Sequence, residues 1–142
     1  MQEVSFTEAL DSILARDPRY DREGYAFVRQ ALDRAQKAIG KDEQGRPRHV
    51  TGQQLLLAIR DFGLAQFGPM AITVFEEWGI HQCSDFGEIV FNMVEAEWLG
   101  KTDQDSRADF SVGYDFHEAF RLPFLPASKL AAPDRGMKPI PA

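Results

Sequence analysis

TGQQLLLAIRDFGLAQFGPM, residues 51–70, reads as one helix, a stop and the start of another. Thr51 followed by Gln54 has capping-box spacing, in which each side chain serves an orphan backbone N–H of the first turn. Leu55, Leu56, Ile59, Phe62 and Phe67 then recur with helical period. Gly68-Pro69 breaks the run, and Pro69 suits the first position of a new helix. Met70, Val74, Phe75 and Trp78 would form the buried face of that helix, and Gly79 would close it.

The same signals recur outward from this stretch. Ser84 or Asp85 is expected to cap a fifth helix, whose Phe86, Ile89, Val90, Met93, Val94 and Trp98 cover a wide arc. Such a helix is usually central in its domain. Upstream, Ser5 and Glu8 form a capping box before Phe6, Leu10, Ile13 and Leu14, and Pro18 ends that helix. Asp21 caps the next, with Tyr25, Val28, Leu32, Ala35 and Ile39 as its stripe and Gly40 as its stop. Lys41 to Val50 is a polar loop broken by Gly45 and Pro47, where a short edge strand near 46–50 is only weakly signalled. Residues 101–113 read as loop, and 114–121 hold one short helix capped by Asp115. Five of the eight prolines fall in 122–142, which reads as an extended or disordered tail. The expected fold is therefore all-α. About five helices form a compact bundle or orthogonal array in a single domain over 1–121, with 122–142 as a flexible Pro-rich tail.

Composition supports this class. The chain has 142 residues, 44% hydrophobic and 27% charged, as in an ordinary single globular domain. One cysteine, Cys83, excludes an internal disulfide. No uninterrupted apolar run reaches a membrane span of roughly 18 residues, and Met1-Gln2-Glu3-Val4-Ser5 lacks the basic start of a secretory signal. A cytoplasmic protein without membrane contact is expected. Charge is uneven: residues 1–60 carry net +1, 61–118 net −10 and 119–142 net +3. An acidic middle repels phosphate backbones and would suit a basic partner.

Chemical motifs are scarce. Gly100-Lys101-Thr102 ends like a phosphate loop, but Glu95 stands where its first glycine is needed. Asp61-Phe62-Gly63 and Asp85-Phe86-Gly87, each followed four residues later by phenylalanine, lie in predicted helices and read as two answers to one packing need. Asp103 to Asp109 lacks the turn glycine and bidentate glutamate of a calcium loop. His81, Cys83 and Asp85 offer N, S and O donors without the paired spacing of structural zinc. The unit formed by helices four and five has the length of a helix-turn-helix. Its second helix, however, carries Asp85, Glu88, Glu95 and Glu97 and no cation. No catalytic residue, metal or cofactor is expected. Candidate binding residues are Arg46, Arg48 and His49, a basic loop before a helix start, and Phe116, Phe120 and Phe124, which could anchor the terminal segment on its own domain or on a neighbour.

Several segments in order are also familiar as a set. His49-Val50-Thr51-Gly52-Gln53-Gln54-Leu55-Leu56, Phe67-Gly68-Pro69-Met70-Ala71, Trp78-Gly79-Ile80, Asp85 to Asn92 and Asp115-Phe116-x-Glu118-Ala119-Phe120 resemble a conserved bacterial family of uncharacterised proteins. That family has about this length and is described as restricted to Planctomycetes and Verrucomicrobia. The resemblance spans most of 4–121 and leaves the tail outside it. It implies a cytoplasmic bacterial protein and carries no activity, cofactor or site residue. Function is thus expected to be a small non-enzymatic protein–protein interaction module, with another protein as partner. The alternative is a nucleic-acid or ribonucleoprotein accessory factor using the basic loop and tail.

Overall fold

The computed structural model describes residues 5–46, 49–96, 98, 108–111 and 113–125, and they form an all-helical array. In chain order the helices are α1 (Phe6–Arg16), α2 (Arg22–Ile39), α3 (Gly52–Phe67), α4 (Ala71–Glu77), α5 (Cys83–Glu95), α6 (Ala108–Ser111) and α7 (Phe116–Phe120). Short 3-10 turns cover Gly68–Met70 and Leu122–Phe124. The tail expected from 122 thus opens with a helical turn, and 126–142 lie outside the described residues. The edge strand expected near 46–50 is not formed among them. Lys41 makes an isolated bridge, and His49 and Val50 have no strand assignment.

The caps form where hydroxyl and carboxylate spacing placed them. Ser5 and Glu8 close a reciprocal box, as do Thr51 and Gln54, and Asp21 accepts from the Glu23 N–H. The start of α5 differs. Neither Ser84 nor Asp85 is its cap residue: the helix begins at Cys83, and Asp85 sits inside the first turn. Its carboxylate reaches back to accept from the His81 N–H at 2.8 Å and the Gln82 N–H at 3.2 Å.

α5 occupies the centre. None of its residues from Cys83 to Val94 is exposed. Phe86, Ile89 and Met93 are wholly buried. α2 and α3 pack as an antiparallel hairpin: Phe27 near the start of α2 stacks on Phe62 of α3 at 4.9 Å and lies 5.8 Å from Phe67 at its end. Phe27 falls outside the single apolar stripe of α2, yet it is buried, because that helix faces α5 on one side and α3 on another. Met70 is a second departure. It is 55% exposed instead of buried, because it ends the 3-10 turn and precedes α4.

The two Asp-Phe-Gly echoes share a packing role. A Cβ on Gly63 would lie 2.9 Å from the Phe75 ring, and one on Gly87 2.7 Å from Phe110. Each glycine lets an aromatic side chain approach the helix backbone. The run Gly52–Glu77 is apolar and long enough, by length and composition alone, to cross a membrane, with a mean hydropathy of 1.3 in its best window. Here Gly68, at φ 53°, ends α3 within that run, and Leu55, Leu56, Ile59, Phe62, Ile72 and Phe75 lie in the core.

Charged residues of α5 meet cations inside the chain. Arg16 pairs with Glu95 at 2.9 Å, Arg19 with Glu88 at 3.2 Å, and the Tyr20 hydroxyl donates to Asp85 at 2.7 Å. Asn92, the buried polar residue of this face, donates to Asp17 and to the Tyr25 hydroxyl, both at 2.9 Å. The corner between α1 and α2 is therefore fastened to α5 by polar groups at 85, 88, 92 and 95, one helical face. Glu88 and Glu95, part of the negative charge that looked available to a partner, are neutralised internally. This fastening also removes the helix-turn-helix reading, since the would-be reading helix is packed on every side.

This corner predicts an acid limb. The Arg19 side chain, with help from Asn92, holds the Asp17 carboxyl well below the usual carboxylate range, against the opposing effect of burial. A depressed native pKa stabilises the fold above the unfolded value near 3.9, and that contribution is lost as pH falls through the native value. Asp17→Asn should therefore unfold at lower urea than wild type at pH 7. The gap between the two midpoints should narrow below about pH 4. A gap that is constant from pH 7 to 2 would remove the linkage.

Candidate functional site

The basic loop folds on itself. Asp42 accepts from the backbone N–H groups of Gln44 and Arg46, both at 2.9 Å, and from the Arg46 Nε at 3.1 Å. Arg46 also donates to Gln44 Oε1 at 3.0 Å. The guanidinium is thus paired within its own turn, which Gly45 permits at φ 82°. His49 is exposed just before α3, and Arg48 lies outside the described residues.

Phe116 and Phe120 anchor the terminal segment on its own domain. Both are buried, 5.2 Å apart, and each packs on Phe75, at 5.9 and 5.1 Å. They present nothing to a neighbour. Phe124 differs, with 43% of its surface exposed.

The start of α5 and the stretch before α7 enclose an open pocket of about 450 Å³, lined in part by His81, Cys83, Ser84, Ser111, Tyr114 and Asp115. It brings His81 and Cys83 to one wall. Asp85 turns the other way, to Tyr20 and the backbone, so the three donors do not converge. Among the described residues no group of three His, Cys, Asp or Glu could hold a metal ion. Cys83 is buried and donates its S–H to the Tyr114 carbonyl at 3.3 Å, and burial pushes the thiol pKa up. Tyr114 is pushed up by burial too, and its hydroxyl donates to the Leu56 carbonyl at 2.8 Å. Nucleophilic work needs a thiolate. Native protein at pH 8 should therefore react with iodoacetamide at least about tenfold more slowly than unfolded protein. Equal rates would show that the thiol is open.

A second concavity, about 500 Å³, lies between the α1–α2 corner and the end of α4, with Trp78 in its wall. Its cations are engaged: Arg19 with Asp17 and Glu88, and Arg22 with Asp11 at 2.7 Å.

The third concavity is apolar. Ala35 and Ala38 of α2 and Ala58, Phe62 and Ala65 of α3 line a groove of about 310 Å³ along the outside of the hairpin. Arg34 stands on the α2 wall and Asp61 on the α3 wall. Arg34 lies over the Phe62 ring at 4.4 Å and has no ion pair among the described residues. Asp61 accepts from Arg60 through Oδ1 only, at 3.0 and 3.1 Å, which leaves Oδ2 open. The two charges do not pair with each other in the chain. Leu57, one turn before Asp61 on the same helix, is 48% exposed. Sequence reading missed this site, because alanines at helical spacing resemble filler, and the signal is divided between two helices.

No family model, no curated protein and no solved structure matches this chain.

Proposed function

We propose that this protein is a small non-enzymatic interaction module that docks another protein through the α2–α3 groove. The observation that supports it is the groove itself: an apolar floor between Arg34, which has no ion pair among the described residues, and Asp61, which Arg60 engages through Oδ1 alone. Protein interfaces combine an apolar centre with a polar rim of this kind. The burial of Cys83, whose thiol is engaged by the Tyr114 carbonyl, supports a non-enzymatic reading, and the pairing of Arg46 with Asp42 weighs against a phosphate-binding loop.

The ordered motifs remain our ground for placing the chain with the bacterial family it resembles, which has no activity to transfer. The test is capture from bacterial lysate by wild type and by Ala38→Glu, at two salt concentrations and with and without nuclease. Ala38 is exposed, so the variant should fold. A protein retained by wild type through nuclease and salt, and lost by the variant, is expected. A catch lost on nuclease treatment would favour the nucleic-acid reading instead.

A further inference from the structure

The geometry points to a second copy of this chain as the occupant of the groove, two α2–α3 hairpins closing into an antiparallel four-helix bundle. This inference rests on the docking reading above and names its partner. Most homodimers use a two-fold axis that brings one patch onto itself, so the patch must be self-complementary. Two axes are open to a pair of facing hairpins. An axis across the groove sets α2 on α2 and brings Arg34 towards its own copy, and like charges facing each other are costly.

An axis along the groove exchanges its two walls. It sets α2 of one protomer against α3 of the other, and the two helices run antiparallel because the hairpin itself is antiparallel. Arg34 and Asp61 line the same cavity from opposite walls. The same operation therefore brings Arg34 of each protomer towards the Asp61 carboxylate of the other, where Arg60 already holds Oδ1, and it does so twice. Charge complementarity thus selects both the occupant and the axis. The alanines at 38, 58 and 65 let helix backbones approach closely. In the dimer Arg34 keeps its place over Phe62 and gains a carboxylate.

The test is sedimentation equilibrium on the full chain over a wide concentration range, with thermal melts to show that each variant folds. Wild type is expected at twice the 16.0 kDa chain mass. Arg34→Glu and Asp61→Arg should each raise the dimer dissociation constant about tenfold or more, and the two together should return it to within about threefold of wild type. Both side chains are exposed, so neither change should cost the fold. Ala38→Glu should yield monomer. A wild type that stays monomeric overturns the inference, as does a dimer indifferent to these substitutions or a double variant no better than either single one. If wild type is monomeric while Ala38→Glu still abolishes capture of another protein, the docking reading stands and the second copy falls. If Ala38→Glu changes neither, both fall.

Discussion

Phe75→Ala is expected to lower the unfolding free energy by about 4 kcal/mol, within the roughly 3–5 kcal/mol typical of deleting a buried phenylalanine. Phe75 is wholly buried on α4, and its ring is the meeting point of the core. Phe27 of α2 lies 5.3 Å from it, Phe86 of α5 5.5 Å, Phe116 and Phe120 of α7 5.9 and 5.1 Å, and Trp78 5.9 Å. Several of these are edge-to-face arrangements, which add to the effect of area burial. The ring also packs into the space left by Gly63 on α3. The neighbours belong to four helices, so collapse around the cavity would require all of them to move, and relaxation should recover little. Phe75→Leu keeps most of the volume and should cost roughly 1–2 kcal/mol. Urea denaturation of the three proteins measures both values. An alanine variant within about 1 kcal/mol of wild type would mean that this ring is not where the helices meet.

Gly79→Ala should be nearly as damaging, about 3 kcal/mol, though it adds a single methyl group. Gly79 stands at φ 87°, where a side chain is strained by about 1–2 kcal/mol. It ends α4 in a Schellman motif: the Gly79 N–H donates to the Glu76 carbonyl at 3.0 Å and the Ile80 N–H to the Phe75 carbonyl at 2.9 Å. Phe75 and Ile80, the two positions at which this motif places an apolar pair, are both wholly buried. A Cβ at this position would also run into the backbone carbonyl of Arg19. That carbonyl cannot retreat freely, because Asp21 N–H bonds the Trp78 carbonyl at 3.0 Å and Arg19 and Tyr20 are tied to α5. The strain and the collision therefore add. Gly45→Ala is the comparison: φ is 82° there too, but nothing lies within 4 Å, so only the conformational cost applies. Calorimetry on the pair should show the larger fall in melting temperature for Gly79→Ala. Equal falls would leave the close approach without consequence.

Legibility varied from element to element for physical reasons. Thr51-Gln54, Asp21 and Gly40 act within one turn of their own helix, so spacing alone located them. The cap of α5 was misplaced by two or three residues because Asp85 acts from inside the first turn, where its carboxylate reaches back to the His81 and Gln82 N–H groups. Phe27 and Asn92 escaped a reading by single stripes. Each is buried by a second neighbour, Phe27 by α3 and Asn92 by the α1–α2 corner. The candidate binding residues were least legible. Phe116 and Phe120 look like anchors in any sequence, and only packing decides whether they hold a partner or their own domain.

With the exception of α6, whose residues read as loop, the sequence by itself determined the helices, most of their ends and the all-α class. These depend on backbone conformation and on periodicity over a few turns, which are local properties. Tertiary structure alone decided which charges remain available. Arg19 and Glu88 neutralise each other although 69 residues separate them, while Arg34 and Asp61, on adjacent helices, face a shared groove without pairing with each other, Asp61 being held by its neighbour Arg60. A charge acts over a few ångströms of space, and the order of residues along the chain does not say which ångströms those are.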